Sequence, residues 1–187
     1  MKKIYIFIFA VLFFAACEKD DYEPGIKAPD TSESLSEKVD GRIALAYVTY
    51  YGKAIPNTDY LTHLNYAFAE IYMENGVYKG FKLQGTESRF QQIVDLKKKN
   101  PGLKISISFA NTIENSDNPK GGGFSLLAKS DEYRKKFAQD CKVFLQKWGI
   151  DGVDMDWEFP GLSWTGDPNA YDVAVDVANH VLLMKEL

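Results

Sequence analysis

Apolar residues along this chain recur on two different periods. Four stretches read as strands: Arg42–Tyr50 (RIALAYVTY), Leu61–Ile71 (LTHLNYAFAEI), Leu103–Ala110 (LKISISFA) and Gly149–Phe159 (GIDGVDMDWEF). They are rich in β-branched and aromatic residues, and the third alternates Ile with Ser, as a pleated strand requires. Between some of them the period lengthens. In ESRFQQIVDLKKKN the apolar positions Phe90, Ile93, Val94 and Leu96 predict a helix that stops at Asn100-Pro101-Gly102. A stronger helix is expected after Ser130, an N-cap followed by Asp131 and Glu132, and it should end at Gly149. Its stripe is Tyr133, Phe137, Cys141, Phe144, Leu145 and Trp148, which makes Cys141 a small core residue rather than a nucleophile or ligand. From Asn169 a last helical pattern runs to the end of the sequence. Strands alternating with helices predict an α/β fold around a parallel sheet.

The first forty residues follow neither period. Lys2 and Lys3 precede an apolar run from Ile4 to Ala16, too short to span a bilayer as a helix but built like a secretory signal. Ending in FFAAC, the run resembles a bacterial lipoprotein signal, in which Cys17 becomes the lipidated first residue. The next residues, Glu18-Lys19-Asp20-Asp21, resemble the acidic surface-export tag of Bacteroidota lipoproteins. From Glu18 to Asp40 the chain is rich in Asp, Glu, Ser, Lys and Pro, with too few large apolar residues to offset the entropy of ordering it. The expected organisation is a signal over residues 1–16, a lipidated cysteine and tether over 17–40, and a globular domain over 41–187. The protein would then be anchored to the outer membrane at the cell surface, with a periplasmic or secreted protein as the alternative.

Charge narrows the partners. The net charge is −4, and loss of the two lysines with the signal would leave −6 (−4 − 2), with no basic cluster anywhere. Nucleic acid is therefore not an expected partner. Two cysteines imply no disulfide framework, and His63 and His180 lack metal-ligand spacing. No metal, cofactor or obligate protein partner is expected.

The chemistry lies in DGVDMDWEFP, residues 151–160. On a strand, residues two apart share a face, so Asp154, Asp156 and Glu158 point one way and Val153, Met155, Trp157 and Phe159 the other. Asp151 has the opposite parity and, with Gly152, opens the strand, which suits a structural role. Neighbouring acids would lie about 7 Å apart. At an effective dielectric of about 20 they repel by roughly 2.4 kcal/mol, nearly two pKa units, so they cannot ionise independently. A carboxylic acid kept protonated beside a carboxylate is what acid-assisted cleavage of a glycosidic bond needs. A calcium loop gathers its oxygens on a turn, and this run is too strand-like for one.

DGVDMDWEFP fits the Asp-x-x-Asp-x-Asp-x-Glu signature and so resembles glycoside hydrolase family 18, the chitinases and their relatives. The likeness extends to LTHLNYAFAEI, which resembles the family's second strand. It also covers GGGFSLLAKSDEYRKKFAQDCKVFLQKWGIDGVDMDWEFPG, which resembles the third helix and fourth strand. The resemblance implies a (β/α)8 barrel with its site at the C-terminal strand ends, about four β/α units of which are present here. It implies Glu158 as general acid and then base. Asp156 would orient the substrate's 2-acetamido group, and Asp154 would share a proton with Asp156. The acetamido oxygen itself would attack the anomeric carbon, giving retention without a carboxylate nucleophile. Tyr47, Phe68 and Trp157 are the expected substrate contacts, while Trp164 is given no role.

Two departures qualify the resemblance. Where the family shows Ser-x-Gly-Gly and then Trp, this chain has Ser108, Phe109, Ala110, Asn111 and Thr112, without that stacking surface. This argues against long crystalline chitin and leaves room for soluble oligosaccharides or N-glycan cores. A barrel of this type also needs about 250 residues, so a fragment of a longer protein is expected. The partner implied is an N-acetylglucosamine oligosaccharide or polysaccharide. The alternatives are an endo-β-N-acetylglucosaminidase acting on N-glycan cores and a non-catalytic surface glycan-binding lipoprotein; retention of Glu158 argues against the latter.

Overall fold

Four parallel strands lie side by side in the computed structural model, which describes residues 41–110, 123–162 and 171–187. In chain order these are β1 (Leu45–Thr49), β2 (His63–Glu74), β4 (Lys104–Ala110) and β5 (Gly152–Asp156), and that is also their order in the sheet. Such sequential parallel order is how a (β/α) barrel begins. The expected α/β fold, as part of that barrel, is what the sheet shows.

A fifth strand, β3 (Val77–Leu83), was not expected. It pairs antiparallel with the C-terminal half of β2. The turn between them is Asn75-Gly76, with both residues at positive φ (51° and 76°), as a two-residue hairpin turn requires. Its period was hidden because Lys79, Gly80 and Lys82 interrupt Tyr78, Phe81 and Leu83.

Helices cover the outer face. The first helical pattern splits into α1 (Glu87–Val94) and α2 (Leu96–Lys99), with Thr86 capping α1 by accepting the Arg89 amide. A short helix, α3 (Gly123–Lys129), was also unanticipated, although Phe124, Leu127 and Ala128 carry a helical spacing. The long helix α4 (Asp131–Trp148) runs as predicted from its Ser130 cap to Gly149 in the left-handed conformation. The last helix, α5 (Asp176–Glu186), starts later than Asn169, because a turn occupies residues 173–175.

Parity sorts the sheet into two faces. Leu64, Tyr66, Ile105, Ile107 and Phe109 point outward and are fully buried against Phe90, Ile93, Leu127, Phe137 and Cys141. Aromatic edges knit this layer: Tyr66 meets Phe90 at 4.8 Å between ring centroids, and Phe109 meets Phe137 at 4.9 Å. Cys141 is buried there as expected, and burial pushes its thiol far up from the ordinary cysteine range. The opposite face carries the polar set.

Candidate active site

Register builds the polar face row by row. Tyr47, Asn65, Ser106 and Gly152 lie side by side across the four parallel strands; one step further come Thr49, Ala67, Ser108 and Asp154. Beyond them Ala110 sits opposite Asp156. Apart from Tyr47 and the acids these are small or neutral side chains, so no basic group of these rows faces the acids. Gly152 fits the same logic: a Cβ there would come within 3.3 Å of the Ser106 hydroxyl.

Asp154 is held by two hydroxyls. The Tyr47 hydroxyl and the fully buried Ser108 hydroxyl each donate to its Oδ2 at 2.8 Å. Two donors on one oxygen fix that carboxylate's plane and make it an acceptor. The Tyr47 phenol is pushed up in turn, by burial first and then by its bond to Asp154. Tyr47 thus joins the acid cluster directly, while its ring remains half exposed. Ser108, which the sequence marks only through a departure from the family motif, is thus a site residue. The Ile/Ser alternation of LKISISFA was the signal for it, since it sets Ser106 and Ser108 on the acids' face.

Asp156 holds its proton more tightly than an ordinary aspartate. Burial is the main cause, followed by the negative charges of Glu158 and Asp154. The mutual repulsion expected from alternate spacing is therefore present at this position. Glu158, however, lies beyond the strand, which ends at Asp156. It follows in the loop at the C-terminal end of β5, and its peptide bond to Phe159 is cis.

Two expectations need correction. Trp157 does not offer its ring to a substrate: it is 5% exposed, stacks on Phe124 at 5.3 Å and meets the edge of His180 at 5.6 Å. A ring with so little exposed surface has almost nothing to offer a sugar. Phe159 does not share its packing; it is half exposed, because the alternation ends with the strand. Phe68 sits at the register shift between Ala67 and Ala69, half-buried and outside the hydrophobic core.

Asp151 sits at the other end of β5. It accepts the Ile105 amide at 2.9 Å and pairs with Lys97 at 2.6 Å and Lys104 at 3.3 Å. Partial burial alone would raise its carboxyl, but these donors bring it below the usual aspartate range. Its place is structural, tying β4, β5 and α2 at the N-terminal side of the sheet. A cavity of about 520 Å³ lined by Lys135, Cys141, Val153 and Glu186 lies on the outer side of β5, away from the acids. Among the described residues no group of three or more His, Cys, Asp or Glu is arranged to hold a metal ion. Cys17, Asn111, Thr112 and Trp164 lie outside the described residues.

The chain belongs to glycoside hydrolase family 18: the family model described as "Glycosyl hydrolases family 18" matches residues 43–187. Probable chitinase 2 of Drosophila melanogaster is 31% identical, over 72% of this chain and 27% of its own length. Chitinase 1 of Aphanocladium album is 27% identical, over 72% of this chain and 36% of its own length. The chain thus spans about a third or less of these curated relatives. Among solved structures, a chitinase from Rhizomucor miehei superposes with a TM-score of 0.59 at 29% identity, covering 76% of this chain and 42% of that one. The Group IV chitinase of Ostrinia furnacalis, solved in complex with allosamidin, gives 0.53 at 27% identity, covering 67% and 31%.

Proposed function

We propose that the protein is a chitinase-like hydrolase that cleaves β-1,4 bonds in N-acetylglucosamine-containing glycans with retention of configuration. The observation that carries this is the graded set of acids at the end of β5: Asp154 fixed as an acceptor by two hydroxyls, Asp156 with its carboxyl raised by burial and by the acids on either side, and Glu158 just past the strand end.

Each acid then has a task. Glu158 protonates the leaving glycosidic oxygen and afterwards takes a proton from the incoming water. Asp156, protonated, donates to the acetamido group or to Asp154 and steers the acetamido oxygen toward the anomeric carbon. Attack by that oxygen closes an oxazolinium ion, so no carboxylate nucleophile is needed. Asp154 receives the shared proton, and Tyr47 and Ser108 keep it aligned to do so. A sugar lacking the 2-acetamido group cannot follow this route, which supports N-acetylglucosamine as the unit cleaved. Membrane attachment through a lipid on Cys17, with display at the cell surface, belongs to the same reading and rests on the sequence of residues 1–21.

In the intact protein, Glu158→Gln should abolish release of chromophore from an N-acetylglucosamine oligomer while oligomer binding persists, because the amide keeps shape but cannot act as the acid. Turnover in the variant within tenfold of wild type would refute the assignment. A matched substrate with hydroxyl in place of acetamido should react poorly; equal rates would refute the substrate-assisted route.

A further inference from the structure

From the packing around the loop that follows β5, we infer that Asp176 is a positioning residue for Glu158. The inference rests on the hydrolase reading above and names a residue outside the acid signature.

Asp176 is fully buried at the start of α5. A buried carboxylate is costly unless several donors converge on it, and three do so here. Its Oδ1 accepts the Ser125 hydroxyl of α3 at 2.7 Å. Its Oδ2 accepts two backbone amides, Asp172 at 2.7 Å and Gly161 at 3.2 Å. Capping α5 would need no bond to Gly161, which belongs to the other end of the β5–α5 connection.

Gly161 is the hinge of a tight turn. The Leu162 amide donates to the Phe159 carbonyl at 2.9 Å, with Pro160 and Gly161 between them and Gly161 at φ 82°. Proline and a positive-φ glycine are what the two central positions of a type II turn select. The turn begins at the residue after Glu158, so holding the Gly161 amide holds the C-terminal side of that acid.

Its N-terminal side is held by the same two helices. Phe124, next to Ser125 on α3, stacks on Trp157, and His180, one helical turn beyond Asp176 on α5, meets the ring edge-on. Glu158 is thus bracketed: an apolar grip on Trp157 before it, a polar grip on Gly161 after it, both from α3 and α5. An acid displaced by about 1 Å can lose on the order of a hundredfold in rate, so the polar grip has a kinetic consequence separate from stability.

The test uses the intact protein and three variants. Asp176→Ala removes all three acceptor contacts. Asp176→Asn keeps an oxygen for the two amides and presents its NH2 to the Ser125 oxygen. Ile93→Ala, fully buried on the inner side of α1 and remote from the acids, serves as a control with a comparable loss of Tm. Expected for Asp176→Ala is a kcat at least tenfold lower with KM within about twofold, and faster hydrogen exchange at the Gly161 and Leu162 amides. Asp176→Asn should restore kcat to within about threefold of wild type. Should Asp176→Ala fail to fold, Ser125→Ala takes its place with a smaller loss of kcat. A kcat in either variant no lower than in the Ile93→Ala control, or an Asp176→Asn enzyme as impaired as Asp176→Ala, overturns the inference. If wild type turns over no N-acetylglucosamine substrate, the hydrolase reading falls. The exchange data then decide the clamp alone: faster exchange in Asp176→Ala supports it and unchanged exchange overturns it.

Discussion

Asp154 and Asp156 are two residues apart and face the same way, yet their surroundings give them different work. Asp154 is met by two hydroxyls; Asp156 is met by burial and by two other acids. Tyr47→Phe removes one donor to Asp154 and should lower kcat by about tenfold or less, since this hydroxyl lies at a half-exposed ring; an unchanged kcat would show that Ser108 alone suffices. For Asp156 the sign is set by its raised carboxyl. The folded state prefers the protonated form, so Asp156 favours folding below the ordinary aspartate value and that contribution is lost as pH rises through its raised value. Asp156→Asn, neutral at every pH, should therefore raise Tm at pH 7. The gain should vanish near pH 4, and a Tm below wild type at pH 7 would contradict the assignment. The acids were legible from their spacing alone. Trp157 differs from the sugar contact that the family resemblance implies and follows its parity to the apolar side. What seals it there are Phe124 and His180, residues distant in sequence that spacing on one strand cannot reveal.

The helix over Asp131–Trp148 could be read from end to end because its cap, stripe and stop signal agree. The strand Val77–Leu83 could not. It carries three lysine or glycine interruptions, and its partner is the overlong end of β2 rather than a barrel neighbour. Its one local signal is Asn75-Gly76, a pair that favours the left-handed conformation at both turn positions. Gly76→Val should accordingly destabilise the protein by about 1–2 kcal/mol, seen as a lowered denaturation midpoint, because φ 76° is strained for a β-branched residue. A midpoint equal to wild type would mean the hairpin is not held in this turn. The late start of α5 has a comparable cause. Helical spacing before Asp176 resembles helix, but Asp172 and Asp176 use their side chains on nearby backbone amides, which suits a turn and a helix start better than a helix interior.

Across the sheet, β5 links two electrostatic environments of opposite sign. At one end Lys97 and Lys104 hold Asp151 below the usual range, so its contribution to stability is present above the ordinary aspartate value and is lost as pH falls through its own lower one. At the other end Asp156 behaves in the reverse sense. Asp151→Asn should therefore lower Tm at pH 7, with the gap to wild type closing as the pH drops below about 4; a gap that widened in acid would refute this. Parallel direction and the division into an outer apolar and an inner polar face were legible from period and spacing, whereas the sequential strand order was implied only by the family resemblance. The clamp around Glu158 was not, since it needs α3 and α5 side by side. The strict two-residue alternation of β5 also bears on which kinds of genetic change the family can survive. A point substitution in Gly152–Asp156 alters one side chain, whereas an in-frame deletion of any one codon there reverses the parity of everything on one side of the gap. Either the acids would be driven into the layer of Phe137 and Cys141, or the apolar residues would be turned into the site. A codon-deletion library should accordingly show a sharp block of lost folding or activity over these residues, while a matched library of conservative substitutions at Val153 and Met155 remains largely functional.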